Sequence, residues 1–269
     1  MPQLYTLIKR KALTWLPEPT LRFLKKIHYA RILKGFSLED QPDLKIVHLL
    51  VRPGDYALDI GANIGVYTKN LSELVGDQGK VFSVEPVPLT YEILCSNVRK
   101  LRLNNSEPIN CAVSDSPGTV TMEIPRYSTG GEDFYQAQIV KSDGQQKQNV
   151  RRVSVEAITI DSKFSAIAKK ISFVKCDVEG HDLACIRGAK NFLEHTPAAW
   201  LIEVSGNPDN SESPANALFK LFTERNYSVW WFDGTRLKQR TAGDKSTNYF
   251  FLRENHVEIL RKRNATLFA

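Results

Sequence analysis

The chain has 269 residues, of which 42% are hydrophobic and 25% charged, and its formal net charge is +6. This balance is typical of a globular protein with one sizeable core, and the lack of a long apolar run argues against a membrane-spanning helix. The surplus of basic residues fits either an ordinary charged surface or an acidic partner such as nucleic acid, anionic lipid or a phosphorylated substrate.

Residues 1–42 are predicted to form a basic N-terminal helical extension of a domain that spans 43–269. The stretch "LRFLKKIHYARILKG" places four apolar residues near one helical stripe: Leu24, Ile27, Ala30 and Leu33. We expect this helix to pack against the domain and close a pocket, with peripheral contact to a membrane surface as the alternative.

Two further features concern the cellular compartment. The basic N-terminus lacks an apolar core and a small-residue cleavage site, so we expect no secretory signal and a cytoplasmic protein. The four cysteines show no C-x-x-C pairing and lie in apolar contexts, which favours buried free thiols over a zinc site.

From residue 56 onward, short apolar strands alternate with helices. Strands are predicted at "YALDI", "KVFSVEP", "INCAVSD", "ISFVKCDV" and "AWLIEV", and helices at 66–75, 89–101, 181–194 and 214–226. This rhythm indicates a parallel sheet covered on both faces. The aromatic runs "YSVWWFDG" and "TNYFFLRE" have no room for a helix between them and predict an antiparallel pair at one side of the sheet. The long polar stretch 126–150 is predicted to be a loop, which is either functional or only a mobile part of the surface.

The first strand runs into a glycine-bearing turn, Asp59-Ile60-Gly61-Ala62-Asn63-Ile64-Gly65. A turn of this kind lets a ligand approach the main chain, since glycine has no Cβ. A dinucleotide fingerprint would need a glycine at Asn63, and a carboxylate at Asp59 would repel a pyrophosphate. S-adenosylmethionine carries a sulfonium and an amino group, which Asp59 suits. The alternative is that Asp59 is a helix cap and the glycines make only a tight turn.

The next two strands end in further candidate cofactor contacts. Glu85, in "SVEP", can accept hydrogen bonds from both hydroxyls of a ribose. Asp115, in "NCAVSD", can accept from an adenine amino group or can cap the turn before Pro117, and we weigh these two roles equally.

A second cluster of polar residues follows the fourth strand, in "FVKCDVEGHDLACIRGA". Asp177, Glu179, His181 and Asp182 crowd the edge over which the cofactor's methyl group is expected to point. A hydroxyl acceptor benefits from a base at this position, and His181, Asp177 or Glu179 can serve. Singly, Glu179, His181 and Asp182 are equally well explained as residues of a helix N-terminus. The Asn/Asp-Pro-Pro-aromatic segment of enzymes that methylate amino groups of nucleic-acid bases is absent from this strand end.

The motifs "DIGANIG", "VEP", "NCAVSD", "DVEGHD…RGA" and "LIEV" together resemble the FkbM-type S-adenosylmethionine-dependent methyltransferases. The resemblance runs from about Asp43 to Leu252. It implies an α/β class I methyltransferase (Rossmann-like) fold with a seven-stranded, mostly parallel sheet whose last strand is antiparallel. It also implies that five residues contact the cofactor: Asp59, Gly61, Asn63, Gly65 and Glu85. Asp177 and Glu179 match family-marking positions.

The sequence therefore predicts an O-methyltransferase that uses S-adenosyl-L-methionine and acts on a hydroxyl of a saccharide or another small-molecule acceptor. We expect no nucleic-acid partner and no obligatory metal, although Asp177 with Asp182 or Glu203 offers a conceivable cation site. The alternatives are an RNA methyltransferase, suggested by the basic balance, and an NAD-linked oxidoreductase, which the turn sequence argues against.

Overall fold

A computed structural model describes residues 17–125, 137–139 and 149–268. Within these residues, a central sheet has eight strands in the order β11-β10-β12-β9-β8-β1-β2-β3. Its strands in chain order are β1 (Tyr56–Ile60), β2 (Lys80–Val84), β3 (Ser106–Ile109), β8 (Ile171–Cys176), β9 (Ala199–Glu203), β10 (Ser228–Phe232), β11 (Leu237–Gln239) and β12 (Asn248–Leu252). A smaller four-stranded sheet has the order β4-β7-β5-β6 and contains β4 (Ala112–Val113), β5 (Gly118–Pro125), β6 (Gln138–Ile139) and β7 (Val150–Ile158).

The middle of the central sheet is parallel, as the sequence predicted. β1 lies between β2 and β8 with parallel pairing on both sides, and β8 pairs in parallel with β9. In β1, β2 and β8 nearly every residue is buried, because helices cover both faces of the sheet. All of these strands therefore end at the same edge.

The other side of the sheet is antiparallel. β12 pairs antiparallel with both β9 and β10, which confirms the predicted aromatic pair. The predicted count of seven strands is wrong, since β11 adds an eighth strand antiparallel to β10. Only four residues separate β10 from β11, and the Asp233 carboxylate accepts hydrogen bonds from the main-chain N–H groups of Thr235 and Arg236 in that turn. So short a connection forces a hairpin.

The helices of the described chain are α1 (Glu18–Gly35), α2 (Leu44–Leu50), α3 (Val66–Val75), α4 (Pro88–Leu101), α5 (Ile160–Phe164), α6 (Asp182–Arg187), α7 (Lys190–His195), α8 (Pro214–Thr223) and α9 (Glu254–Arg263). The single helix predicted over 181–194 is wrong, because α6 and α7 are separate. A Cβ on Gly188, between them, would lie 2.1 Å from the carbonyl oxygen of Ser114. The chain bends there to pack against the end of β4.

The strand predicted at "INCAVSD" is divided between the two sheets. Ser106–Ile109 joins the central sheet beside β2, whereas Ala112–Val113 pairs with β7 of the small sheet. Most of the predicted loop 126–150 lies outside the described residues, and residues 138–139 within it form β6 against β5.

The N-terminal helix α1 packs on α4. Tyr29 and Leu33 of α1 join a cluster with Leu89 and Ile93 of α4, and Leu33 is fully buried. Arg22 and Lys26 also face α4, where both side chains form ion pairs with Glu92 at 3.3 and 3.2 Å.

The opposite face of α1 is exposed. Leu24, expected in the apolar stripe, is 41% exposed, and Phe23 and Ile32 are the other large apolar side chains exposed within the described chain. Peripheral membrane contact through this face stays a prediction. Across the described residues, no helix is both long and apolar enough to cross a membrane.

The packing of α1 predicts a contrast between two leucines on the same helix. Leu33→Ala should lower the free energy of unfolding by about 2–4 kcal/mol, because it leaves a cavity at the contact with α4. Leu24→Ala is the matched control, with an expected change within about 0.5–1 kcal/mol, since Leu24 is exposed. Urea unfolding followed by circular dichroism measures both values. Equal effects of the two substitutions would show that α1 does not pack on α4 in solution.

Candidate cofactor and acceptor site

A cavity of about 410 Å³ opens at the edge where β1, β2 and β8 end. The loops after these strands form its floor, and α1, α3, the segment before α2 and the small sheet contribute to its walls. The predicted residues Asp59, Gly61, Asn63, Glu85, Asp177 and Glu179 line the cavity. Parallel strands thus bring together residues that are more than 100 positions apart in the chain, as expected for ligand sites in open α/β sheets.

The turn after β1 is held by a close approach of two main chains. Gly61 has a φ of +76°, and a Cβ at this position would lie only 1.7 Å from the carbonyl oxygen of Asp177. The N–H of Asp177 in turn donates to the carbonyl oxygen of Ile60 at 2.9 Å. We expected Gly61 to make room for the ligand; in the described chain it makes room for the end of β8.

Two other residues of the turn, Asn63 and Gly65, also have left-handed backbone conformations. Asn63 has a φ of +51°, which asparagine tolerates better than most residues. Gly65 has a φ of +99° at the start of α3, and a Cβ there would lie 2.9 Å from the Leu94 side chain of α4. Gly65 therefore permits the packing of α4 against α3.

Asp59 is buried beneath this turn. The Thr68 hydroxyl donates to its carboxylate at 2.6 Å and lies 2.8 Å from the Ser83 hydroxyl. Burial raises the pKa of Asp59 to about 6, although the hydrogen bond from Thr68 and the charge of Lys175 favour the ionised form. A cation in the cavity would stabilise that ionised form further.

Glu85 is fixed by the main chain. Its two carboxylate oxygens accept hydrogen bonds from the N–H groups of Asn63 and Val87, each at 2.9 Å. Burial raises the pKa of Glu85 to about 7 against the effect of these bonds. Each oxygen has a second lone pair, so the carboxylate can still accept hydrogen bonds from the hydroxyls of a ribose.

Beyond Glu85 the cavity wall becomes apolar, with Val87, Cys111, Ala112, Val113, Met122 and Ile139. Asp115 does not line the cavity. It is exposed in the turn after β4, and the Ser116 hydroxyl donates to it at 3.1 Å. This position favours the turn-cap alternative, and the contact between Asp115 and adenine stays a prediction.

The structure separates the three candidate bases. Asp177 lines the cavity with a side chain that is 32% exposed. Glu179 also lines it but is exposed, on a residue with a φ of +50°. His181 lies away from the cavity lining, where its Nε2 is 2.9 Å from the Ser114 hydroxyl.

Carboxyl groups on neighbouring elements surround Asp177. Burial, followed by the charge of Asp177, raises the pKa of Glu203 on β9. Burial also raises the pKa of Asp182 to about 6, and its Oδ2 accepts a hydrogen bond from the N–H of Ser205. The described residues contain no group of three or more His, Cys, Asp or Glu that could hold a metal ion. Metal independence itself stays a prediction.

Three residues of the site were missed by the sequence analysis. Lys175, Tyr67 and Gln41 all line the cavity. A signal for Lys175 was present, since a lysine within the apolar run "ISFVKC" is rare for a buried strand. Gln41 had no such signal, because it lies before α2 and only tertiary packing brings it to the site.

The strand order, with the parallel centre and the antiparallel β12 inserted between β9 and β10, defines a class I methyltransferase fold. A family model described as the methyltransferase FkbM domain matches residues 59–229, more than half of the chain. The chain belongs to the FkbM family, and its cofactor is S-adenosylmethionine.

Two curated relatives show the breadth of similar proteins. A probable cobalt-precorrin-6B C(15)-methyltransferase (decarboxylating) of Sulfurisphaera tokodaii is 28% identical over 111 residues, which cover 41% of this chain and 57% of that protein. The hexuronic acid methyltransferase AglP of Haloferax volcanii is 26% identical over 181 residues, which cover 65% of each chain. The chain thus spans less than two thirds of the length of either relative.

Solved structures to which this chain is similar include a methyltransferase FkbM from Methylobacillus flagellatus, with a TM-score of 0.46 and 15% identity over 85% of this chain and 58% of that one. A S-adenosylmethionine-dependent O-methyltransferase from Thermotoga maritima has a TM-score of 0.44 and 16% identity over 80% of this chain and 64% of that one.

The contact between Gly61 and Asp177 predicts a contrast between two glycines. Gly54→Ala should cost about 1–2 kcal/mol of unfolding free energy, because its φ is +89° but nothing lies within 4 Å of an added Cβ. Gly61→Ala has the same backbone penalty and also a clash with main-chain atoms, so we expect a loss of about 3 kcal/mol or more. Chemical denaturation without cofactor measures both losses. Equal losses would remove the main-chain clash as the reason for glycine at position 61.

The pKa values of Asp59 and Glu85, raised to about 6 and about 7, predict that cofactor affinity depends on pH. Both groups hold protons more tightly in the folded protein than in water, and a cationic ligand with hydroxyl donors favours their ionised forms. Affinity for S-adenosylmethionine should therefore rise about tenfold from about pH 5.5 to pH 7.5, with release of protons on binding.

Titration calorimetry in buffers with different ionisation enthalpies measures both the affinity and the proton release. The Glu85→Gln variant cannot titrate at this position and should show weaker binding with a smaller dependence on pH. Wild-type affinity that is constant over this range would show that neither carboxyl group changes its protonation on binding.

Proposed function

We propose that the chain is an O-methyltransferase that transfers a methyl group from S-adenosylmethionine to a hydroxyl of a saccharide or another small-molecule acceptor. The observation that carries the proposal is the position of Asp177. Its partly exposed carboxylate lies at the end of β8, in the same cavity as the cofactor candidates Asp59 and Glu85.

The order of charged and apolar groups along the sheet edge favours one orientation of the cofactor in the cavity. Charged side chains lie at the ends of β8 and β1, Glu85 lies at the end of β2, and the apolar wall follows toward the small sheet. S-adenosylmethionine has the same order of chemistry, with a charged amino-acid part, a ribose and an adenine. We infer that the methionine part lies over β1 and β8, near Asp177.

Asp177 is the best-supported base. When bound, S-adenosylmethionine supplies an electrophilic methyl group bonded to a sulfonium. Asp177 would accept the proton of the acceptor hydroxyl as the hydroxyl oxygen takes up the methyl group, and the electron pair of the broken carbon–sulfur bond would stay on sulfur. Burial, and also the charge of Asp177, raise the pKa values of Glu203 and Asp182, so both carboxyl groups lie close enough to Asp177 to interact with it.

Glu179 and His181 stay as weaker candidates. Glu179 is exposed, so water can screen its charge and compete for its oxygens. The His181 ring nitrogen that faces Ser114 is engaged at 2.9 Å. A role for either residue would need the acceptor to bind over the loop after β8 rather than within the described cavity.

The acceptor class rests on the relative that methylates a hexuronic acid, which is 26% identical over 65% of this chain. For RNA as an acceptor, a basic surface would be required. Two basic residues of α1, Arg22 and Lys26, form ion pairs with Glu92 on their own domain. This pairing reduces the charge that α1 offers to a phosphate backbone.

The role of Asp177 predicts that Asp177→Asn lowers turnover at least tenfold with less than a threefold change in cofactor affinity. Release of S-adenosylhomocysteine is measured with 4-nitrophenyl glucuronide and 4-nitrophenyl glucoside as acceptors, and mass spectrometry locates the methyl group. His181→Asn discriminates between the two candidate bases. Loss of turnover in His181→Asn but not in Asp177→Asn would show that His181, and not Asp177, is the base. Methylation of a carbon or nitrogen atom of the acceptor would overturn the proposed reaction.

A further inference from the structure

Lys175 is a buried charge that the proposed reaction does not use. It is the fifth residue of β8, directly opposite Asp59 on β1 in the parallel register. Only 1% of the residue is exposed, yet it lines the cavity. An ammonium group this deeply buried is costly unless charged or polar partners surround it.

The Lys175 ammonium has two direct contacts among the described residues, and its charge also acts on the carboxyl groups of Asp43, Asp59, Asp182 and Glu203. Its Nζ lies 3.4 Å from Oδ2 of Asp177, a long distance for a charge-assisted hydrogen bond, and 5.3 Å from the centre of the Tyr67 ring. An ammonium group has three N–H donors. A single long contact with a carboxylate and the face of a ring leave it able to bind another acceptor.

Tyr67 and Gln41 extend this polar region. The Gln41 amide donates to the Tyr67 hydroxyl at 3.0 Å, and both side chains line the cavity. Burial, together with the Asp43 carboxylate, raises the pKa of Tyr67, so the phenol keeps its proton and can donate it. Lys175, Tyr67 and Gln41 therefore present donors of hydrogen bonds on the methionine side of the cavity.

The charges of the cavity lining are unequal. Among the described residues that line it, four are acidic (Asp59, Glu85, Asp177 and Glu179), and Lys175 is the one basic residue. S-adenosylmethionine carries two cationic groups and a single anionic group, its α-carboxylate. The acidic residues suit the cations, and the carboxylate needs a cationic or donating partner.

We propose that Lys175, assisted by the Tyr67 hydroxyl, binds the α-carboxylate of S-adenosylmethionine. The proposal rests on the proposed function, because it assigns one group of the same cofactor. Lys175 lies beside Asp59 across the β1–β8 pair, at the end of the cavity farthest from the apolar wall. The carboxylate of an acceptor such as a uronic acid is the competing ligand, but the deep position of Lys175, with Nζ beside Asp177 and Tyr67, favours the cofactor.

The test compares S-adenosylmethionine with decarboxylated S-adenosylmethionine, which lacks only the α-carboxylate. Titration calorimetry with the full-length wild-type protein should show binding of the intact cofactor that is about 10- to 100-fold tighter. In Lys175→Gln this preference should fall to less than about threefold. Tyr67→Phe, which keeps the aromatic ring, should show an intermediate preference. This variant still tests the proposal if Lys175→Gln does not fold.

A second lysine provides a matched control. Lys238 also lies over an aromatic ring, 5.1 Å from the centre of Trp231, and pairs with an aspartate, Asp233, at 2.7 Å. It lies on β11, away from the cavity lining, so Lys238→Gln should keep the wild-type preference.

The outcomes separate this proposal from the proposed function. If Lys175→Gln and Tyr67→Phe both keep the wild-type preference, or lose affinity equally for both ligands, the carboxylate does not bind there and the inference is wrong. If these variants bind S-adenosylmethionine normally but methylate 4-nitrophenyl glucuronide more slowly, relative to 4-nitrophenyl glucoside, than the wild-type protein does, Lys175 binds the acceptor and the inference is also wrong. Failure of the wild-type protein to bind S-adenosylmethionine at all would instead refute the proposed function.

Discussion

The main-chain contact between Gly61 and Asp177 is the constraint on which the site depends. The turn after β1 passes so close to the end of β8 that a Cβ at position 61 would lie 1.7 Å from the Asp177 carbonyl oxygen. The same turn is tied to β2, since the N–H groups of Gly61 and Ala62 donate to the carbonyl oxygen of Val84 at 2.9 and 3.0 Å. Three strand ends are thereby held together, and the cofactor candidates and the candidate base share one cavity.

The acidic character of the site follows from this convergence. Asp59, Glu85 and Asp182 are all buried, and burial raises the pKa of each. Lys175 opposes these shifts, because its charge favours the ionised forms of Asp43, Asp59, Asp182 and Glu203. A ligand with two cations and one anion complements this arrangement of buried charges. We infer that the whole set of charges, rather than any single residue, selects the cofactor.

Much of the fold was predictable because its signals are local. The parallel strands are continuous apolar runs, α3 and α4 begin and end close to the predicted positions, and the two aromatic runs form the antiparallel pair. The errors concern features without a local signal. The division of 181–194 into two helices depends on the contact of Gly188 with Ser114, which directly follows β4 of the small sheet. The exposure of Leu24 depends on which face of α1 meets α4.

By itself, the sequence determined the class of fold, the family and the set of polar residues at the strand ends, because glycine turns and carboxylates after apolar strands have a direct chemical meaning. Tertiary structure decided which of these residues share a cavity. It placed Asp177 in the lining and His181 beside Ser114, it exposed Asp115, and it brought Lys175, Tyr67 and Gln41 together. The physical reason is that orientation and burial depend on neighbours distant in the chain, and no local pattern of residues records those neighbours.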